Sequence, residues 1–212
     1  MQNQVITITE KHHAAAKIIF AKVIGERSPK YIVTVTGEVG TGKSTVSLLL
    51  AKLLKEKGIR VKIMDLDNYY NIAPLERKAW RKKNGVDKVG LDEYNWEKIY
   101  GNIQDFKNDK KATLPLVDMM TDYVDELTTD FKGIDLLIIK GLYSIKCKES
   151  KLKVFIELSY EEAISKNLYI PMEITDDFRI QVMKKEQEVV QRLKKDADFF
   201  IDFDTSNEMY HL

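Results

Sequence analysis

The sequence predicts an α/β fold in which a parallel β-sheet is sandwiched between helices. Short apolar runs of strand length alternate along the chain with longer helix-like segments, which is typical of a parallel sheet covered on both faces. In addition, a glycine-rich loop separates a β-branched, apolar run at residues 31–36 from a helical pattern at 44–57. This order of strand, loop and helix is the P-loop arrangement of nucleoside-triphosphate-binding folds.

The loop itself matches a phosphate-binding motif. Residues 37–44 fit the pattern G-x-x-x-x-G-K-[ST] with no mismatch. Glycines let the backbone N–H groups turn inward around a phosphate, and the N-terminus of the following helix adds positive potential. Lys43 would then lie between the β- and γ-phosphates, and the Ser44 hydroxyl would bind Mg²⁺. The predicted nucleotide contacts are Gly37, Glu38, Val39, Gly40, Thr41, Gly42, Lys43, Ser44 and Thr45.

Residues 1–30 are expected to form an extension ahead of a main domain that spans residues 31–212. The pattern predicts a short strand at 5–8 and a helix at 13–24, and Ser28-Pro29 ends that helix. His12 and His13 are adjacent, so on a helix they would point in different directions. We therefore expect solvated surface histidines here rather than a metal site.

The remaining elements follow from periodicity and from chain-breaking residues. Strands are expected at residues 59–64, 134–139, 152–157 and 199–201. Helices are expected at residues 95–105, 118–130 and 176–195. The polar segment at 74–90, which carries a run of cations from Arg77 to Lys88, has two interpretations. It presents positive charge to an acidic or phosphorylated ligand, or it is a solvated surface helix.

Three segments fall at the carboxyl ends of predicted strands, where ligands bind in open parallel sheets: the P-loop, residues 65–70 and residues 140–143. Asp67 is placed to face a γ-phosphate and to accept the proton of an attacking hydroxyl. Asp65 is a candidate Mg²⁺ ligand. The alternative is that both carboxylates only cap a loop or a helix.

Composition excludes several other classes of function. The 34 basic and 33 acidic residues give a net charge of +1, so there is no general case for nucleic-acid or membrane binding. No apolar run approaches the roughly 20 residues of a membrane span, and the first residues lack the features of a secretory signal. Cys147 is the only cysteine, which excludes an internal disulfide and favours a reducing cytoplasm. We expect its thiol to be inert.

Several segments resemble, in the same order, the motifs of the uridine kinase and phosphoribulokinase-like P-loop kinases. The similar segments are residues 67–70 (D-[DS]-F-Y), 90–96 (ending F-D-[WF]), 114–118 (P-x-Y-D), 140–143 (E-G-[IL]-[LY]) and 197–201 (A-D-x-x-I). The resemblance implies an ATP- and Mg²⁺-dependent kinase that acts on a hydroxyl of a small molecule, a nucleoside or a sugar or its phosphate. It also implies that Asp67 is the catalytic base and that Tyr70 and Asp118 contact the acceptor.

The chain departs from the family at three places. Val117 stands where uridine kinases have an aromatic residue near the base, and residues 119–123 replace the His and Arg that usually follow, which argues against uridine as the acceptor. Lys140 stands where the family has a glutamate that helps to hold Mg²⁺. We expect its ammonium to bind a phosphate of ATP or of the acceptor, or to contact Asp65 or Asp67, unless the side chain bends out to solvent. The lid, expected within a helical region at 160–195, also lacks the family's arginine cluster.

Lys166 is the only basic residue left in the lid segment, and Arg179 or Arg192 could close over the phosphates instead. The alternative is that both arginines are exposed charged residues on a helix surface with no role at the site. Two functions therefore remain: a catalytic small-molecule kinase with Lys43, Asp67 and Arg179 in its active site, or a non-catalytic ATP-binding protein with a decayed site. A GTPase or a transport ATPase is disfavoured, since no N-K-x-D or L-S-G-G-Q segment is found. The sequence leaves the acceptor and any homo-oligomer open.

Overall fold

Seven strands and six helices form the architecture of the residues described by the computed structural model, which are 8–118, 121, 123–165 and 176–203. The helices are α1 (Glu10–Glu26), α2 (Lys43–Glu56), α3 (Pro74–Asn84), α4 (Trp96–Lys107), α5 (Tyr160–Ser165) and α6 (Asp177–Leu193). The strands are β1 (Tyr31–Gly37), β2 (Val61–Asp65), β3 (Lys111–Val117), β4 (Val124–Asp130), β5 (Leu136–Lys140), β6 (Leu152–Ile156) and β7 (Phe199–Ile201). No helix within these ranges is long and apolar enough to cross a membrane.

Five strands form one parallel sheet in the order β2-β5-β1-β6-β7. Helices cover both faces, so the predicted α/β sandwich is confirmed. Alternate residues of β1 show the two-residue repeat of a buried strand, because Val33 and Val35 face one core and Ile32 faces the other. Since all five strands run the same way, β1, β2 and β5 end at the same edge, where the loops that follow them meet.

The N-terminal helix belongs to the core of the domain. In α1, Ala15, Ala16, Ile19 and Val23 are fully buried, and the helix packs on α2 in the same cluster as the sheet residues Val33 and Val35. The small alanines allow the two helices to approach closely. Of the strand expected at 5–8, residues 5–7 lie outside the described residues.

The helix expected at residues 118–130 is wrong. Residues 124–130 of that segment form β4, which pairs with β3 in an antiparallel hairpin, with Leu114 opposite Leu127 and Val117 opposite Val124. Val124, Thr128 and Thr129 of β4 are β-branched and favour a strand once a partner is available. Pro115 lies opposite Glu126 in β3, a two-stranded setting that tolerates a residue without an N–H.

Candidate functional site

The P-loop wraps the end of β1 onto the start of α2. Gly42 is the N-cap of α2 and adopts a left-handed conformation (φ 80°), which glycine accepts without strain. A Cβ atom at this position would also lie only 2.4 Å from Nε2 of His12. Only glycine therefore fits between the loop and the N-terminal helix.

His12 is not solvated, contrary to the expectation from sequence. Its side chain is buried at 4% exposure, with Nδ1 accepting the Thr9 N–H at 3.1 Å and the ring meeting the Phe203 ring edge-on at 5.4 Å. Burial lowers the pKa of His12, so the neutral imidazole is favoured. The ring thus acts as a packing element under Gly42, while His13 is exposed as predicted.

Lys43 folds back onto its own loop. Its Nζ donates to the backbone carbonyl of Glu38 at 2.5 Å, and desolvation lowers its pKa to about 8. The negative charges of Asp67, Asp65 and Glu186 oppose this shift, whereas Lys140 adds to it. Because these groups all act on Lys43, the ends of β1, β2 and β5 form one electrostatic unit. Ser44, at the start of α2, is exposed, with its hydroxyl available to a ligand.

Glu38 has a second function that the sequence did not indicate. Its carboxylate is buried and accepts three hydrogen bonds: from the Tyr160 N–H at 2.9 Å, from Gln187 Nε2 at 3.0 Å and from Gln191 Nε2 at 2.6 Å. The donors belong to α5 and α6, which flank the segment at 166–175. The P-loop is therefore anchored to both helices through one side chain.

Lys140 turns inward and forms an ion pair with Asp65. The two residues are register partners on β5 and β2, so their side chains leave the same face of the sheet. Asp65 Oδ1 also accepts the Asp67 N–H at 3.1 Å. Asp65 therefore both pairs with a lysine and caps the turn that carries Asp67, while Gly141 lets that turn come close, since a Cβ there would meet Leu66 at 2.8 Å.

Asp67 lies on the turn after β2, where its side chain is exposed. Desolvation there raises the pKa of its carboxyl, and the neighbouring Asp65 carboxylate raises it further. Lys140, Lys43 and Arg77 act in the opposite direction and favour the ionised form. A carboxylate of this kind, held among cations beside the phosphate loop, can accept a proton from a hydroxyl group.

Aromatic residues line the wall next to Asp67. The Tyr70 and Tyr94 rings pack with their centroids 4.1 Å apart, and the Tyr94 hydroxyl donates to the Tyr70 hydroxyl at 2.7 Å. The guanidinium carbon of Arg77 lies 3.5 Å from the centroid of the Tyr70 ring. Trp96 is partly buried and donates its Nε1–H to the Leu91 carbonyl at 2.7 Å, which agrees with the packing role that is the default for this residue.

A network of buried charged side chains lies next to these aromatic residues. Arg81 makes two hydrogen bonds with Glu93, at 2.6 and 2.9 Å, and a third ion-pair contact with Glu186 at 3.0 Å. Arg179, the predicted catalytic arginine, lies with Nη1 3.7 Å from Glu186 Oε2. For Arg81 the expectation of a solvated surface helix at 74–90 is therefore wrong, because carboxylates distant in sequence bury and neutralise it.

The other predicted residues lie around this centre. Asp118 is exposed at the end of β3, where its carboxylate accepts from Thr121 at 2.8 Å. The residue before it, Val117, donates its N–H to Asn68 at 3.3 Å, which places Asp118 near the rim of the cleft. Cys147 is fully buried, and burial raises the pKa of its thiol to about 12, consistent with an inert cysteine. Lys166 lies outside the described residues.

The structure brings Lys43, Asp65, Asp67 and Lys140 together at one sheet edge and holds Arg179 on Glu186. The phosphate loop before α2, with an acidic turn after β2, defines the class of P-loop kinases. Within that class, the chain belongs to the phosphoribulokinase / uridine kinase family, whose model matches residues 32–208.

Individual relatives agree with this membership. The chain is 23% identical over 192 residues to a uridine kinase of Macrococcus caseolyticus, covering 84% of this chain and 90% of that protein. Its fold is similar to that of a possible uridine kinase from Bacillus stearothermophilus (TM-score 0.63, 17% identity, 89% and 97% of the two chains). It is also similar to D-glycerate 3-kinase from Cryptococcus neoformans (TM-score 0.58, 14% identity, 92% and 95% of the two chains).

Proposed function

We propose that the protein transfers the terminal phosphate of ATP to a hydroxyl group of a small molecule. The observation that carries the proposal is the convergence of Lys43 and Asp67 at one sheet edge, where each acts electrostatically on the other. The P-loop amides and Lys43 bind and orient the phosphates, which replace the Glu38 carbonyl as the partner of the ammonium. Asp67 holds the acceptor hydroxyl and takes its proton.

The residues present fit the phosphates better than they fit a metal cage. Gly40 and Gly42 have left-handed φ values of 77° and 80°, which turn the loop into an anion nest at the start of α2. Within the described residues there is no group of three or more His, Cys, Asp or Glu side chains that could hold a metal ion. Mg²⁺ would be held by Ser44 and the nucleotide, with Asp65 engaged by Lys140, and it would neutralise phosphate charge.

A non-catalytic ATP-binding protein is the second candidate, and the Lys140–Asp65 pair favours it, since it occupies a carboxylate next to the phosphate site. Binding and turnover separate the two candidates. Lys43→Ala should weaken ATP binding and abolish turnover. Asp67→Asn should leave ATP binding intact and lower kcat by about 10²-fold, a typical value for a lost general base.

The assay combines titration calorimetry with ATP and a screen for acceptor-dependent ADP release in the presence of Mg²⁺. Asp125→Asn, on the exposed β4 strand, is the matched control for the loss of one carboxylate. ATP binding without acceptor-dependent turnover across nucleosides, sugars, sugar phosphates and hydroxy acids would favour the non-catalytic alternative.

A further inference from the structure

We propose that Arg77 is the anion-binding residue of the acceptor site, so that the acceptor is a hydroxyl compound that itself carries a phosphate or carboxylate group. This inference rests on the proposed phosphotransfer and names the class of its second substrate. The relatives that are uridine kinases take their name from a neutral nucleoside, so the inference separates this chain from them.

The Tyr70–Tyr94 pair positions the Arg77 guanidinium. The group lies directly over the Tyr70 ring, and that ring is held by Tyr94 through ring packing and a hydroxyl–hydroxyl hydrogen bond. Tyr70 follows Asp67 by three residues on the same turn. A guanidinium stacked on an aromatic face keeps the N–H groups at its edge free to meet a planar oxyanion.

The bonding capacity of Arg77 is largely unused. In the described part of the chain it forms no ion pair with a carboxylate; its Nη2 donates to the Ile72 carbonyl at 3.3 Å, and its Nε is buried with no hydrogen-bond partner. A guanidinium has five N–H donors, and a buried donor left without a partner is unfavourable. An anion at the guanidinium would supply the missing counter-charge and acceptors for the terminal N–H groups, whereas Nε itself is buried.

Arg81, one helical turn further along α3, provides an internal comparison. It also points inward, but Glu93 and Glu186 neutralise it completely. The helix thus carries one arginine that the protein pairs by itself and one that it leaves for a ligand. Burying an unpaired cation is unfavourable, which explains why Arg81 is paired with two carboxylates. Arg77 is partly buried without such a partner in the described part of the chain, so we infer that a ligand provides one.

Arg77 is placed to contact a bound acceptor rather than the bound nucleotide. Its charge acts on Asp67, the proposed base, but it is absent from the principal charges that act on Lys43. Lys140 also acts on Asp67, but it is occupied by Asp65. An acceptor with its hydroxyl at Asp67 and an oxyanion at Arg77 satisfies both groups, as a hydroxy acid or a sugar phosphate would.

The test uses acceptor pairs that differ only in charge: D-glycerate against glycerol, and D-ribose 5-phosphate against D-ribose, with uridine as a further neutral compound. Binding to the full chain is measured by calorimetry with a non-hydrolysable ATP analogue and Mg²⁺ present, so that the P-loop is occupied. Turnover is measured in parallel. We expect at least one anionic member to bind about 10-fold or more tightly than its neutral partner.

Arg77→Gln should then weaken binding of that anion by about 10- to 100-fold, the range for lost charged hydrogen bonds, and leave the ATP affinity unchanged. Arg77→Lys should recover part of the loss, because it keeps the charge but not the planar fork. Lys78→Gln, next along α3 and paired with Asp176 on the surface, is the matched control and should change neither value.

Two results would overturn the proposal. One is equal or tighter binding of every neutral member in the wild-type protein. The other is an Arg77→Gln variant that loses thermal stability without a change in the anion-to-neutral ratio, which would restrict Arg77 to supporting Tyr70. Because binding is measured without turnover, an inactive protein that still binds the anion through Arg77 would contradict the proposed function alone.

Discussion

Lys43, for which we propose a phosphate-binding role, destabilises the ligand-free protein. Its pKa is lowered to about 8, so between that value and the ordinary pKa near 10.5 the unfolded chain binds more protons than the folded one. Stability therefore rises with pH across this window, and below it the charged Lys43 costs the ligand-free fold its full penalty. Under the proposed function, the phosphates of ATP would supply the missing counter-charge.

Lys43→Met should therefore stabilise the ligand-free protein at pH 7. The free energy of unfolding should rise by about 2 kcal/mol. Removing the charge that the lowered pKa of Lys43 reports is favourable, and losing the hydrogen bond from Lys43 to the Glu38 carbonyl offsets part of that gain. Urea unfolding at pH 7 and at pH 9.5 measures it, and the gain should shrink at the higher pH, where the wild-type lysine is neutral in the folded state. Lys52→Met, exposed on the same helix, is the control. A destabilised or pH-independent variant would contradict this account.

Lys140 makes a second prediction for a single residue. Its charge lowers the pKa of Asp67, which desolvation and Asp65 raise. Lys140→Met should remove that effect and leave Asp65 without its counter-ion, so the pKa of Asp67 rises. Because Asp67 as the proposed base would work in its ionised form, the acid limb of the profile of kcat/KM against pH should move to higher pH.

The pH profile with the true acceptor measures this shift, and Lys146→Met, which removes an exposed lysine from the same loop, should leave the limb in place. An unchanged acid limb in Lys140→Met would show that Asp67 does not control it.

Helices α5 and α6 are joined to the P-loop by the Glu38 carboxylate. This connection can be tested by swapping the two side chains of the Glu38–Gln191 pair. Glu38→Gln turns an acceptor into a donor that faces the Gln191 amide, and Gln191→Glu sets two carboxylates against each other. Each single change should lower the free energy of unfolding by about 1–3 kcal/mol and weaken ATP binding. The double variant restores one donor and one acceptor with the same net charge, so it should recover most of both losses.

Thermal unfolding and ATP titration of the two single variants and the double variant form a double-mutant cycle. Gln181→Glu adds the same charge on the exposed face of α6 and should have little effect. If the losses of the single variants simply add in the double variant, Glu38 and Gln191 are not coupled.

The elements show what sequence alone could predict. The P-loop, the Asp67 turn and the sheet edge at which they meet follow from contiguous patterns, because each is fixed by residues close together in the chain. Glu38 binds partners 122 to 153 residues away, and Arg81 is paired with Glu93 and Glu186, so no local pattern reveals either. The β4 strand was missed for a different reason, since its partner β3 is close in the chain but their pairing outweighs the weak preference of β4 itself.

At the scale of the molecule, the described residues form two hydrophobic cores that share one sheet. The first joins α1 and α2 to one face, and the second joins α4 and the start of the hairpin to the other. Neighbouring residues of the same strands, such as Leu137 and Ile138, face opposite cores. Loss of packing in one core therefore disturbs the strands that complete the other, which predicts cooperative unfolding of both layers.

Ile19→Ala tests that cooperativity from α1, a helix of the first core. Ile19 is fully buried in the first core, so the substitution should lower the free energy of unfolding by about 2–5 kcal/mol. Trp96 packs against the second core, and in a Trp80→Phe background, which removes the other tryptophan, its fluorescence reports on that layer, while far-UV circular dichroism reports on all helices. Both signals should shift to the same lower urea concentration, because the sheet links the layers. Lys17→Ala, exposed on the same helix, should shift neither by more than about 0.5 kcal/mol. A shift confined to circular dichroism, with tryptophan fluorescence unchanged, would mean that α1 unfolds independently of the layer that carries the cleft wall.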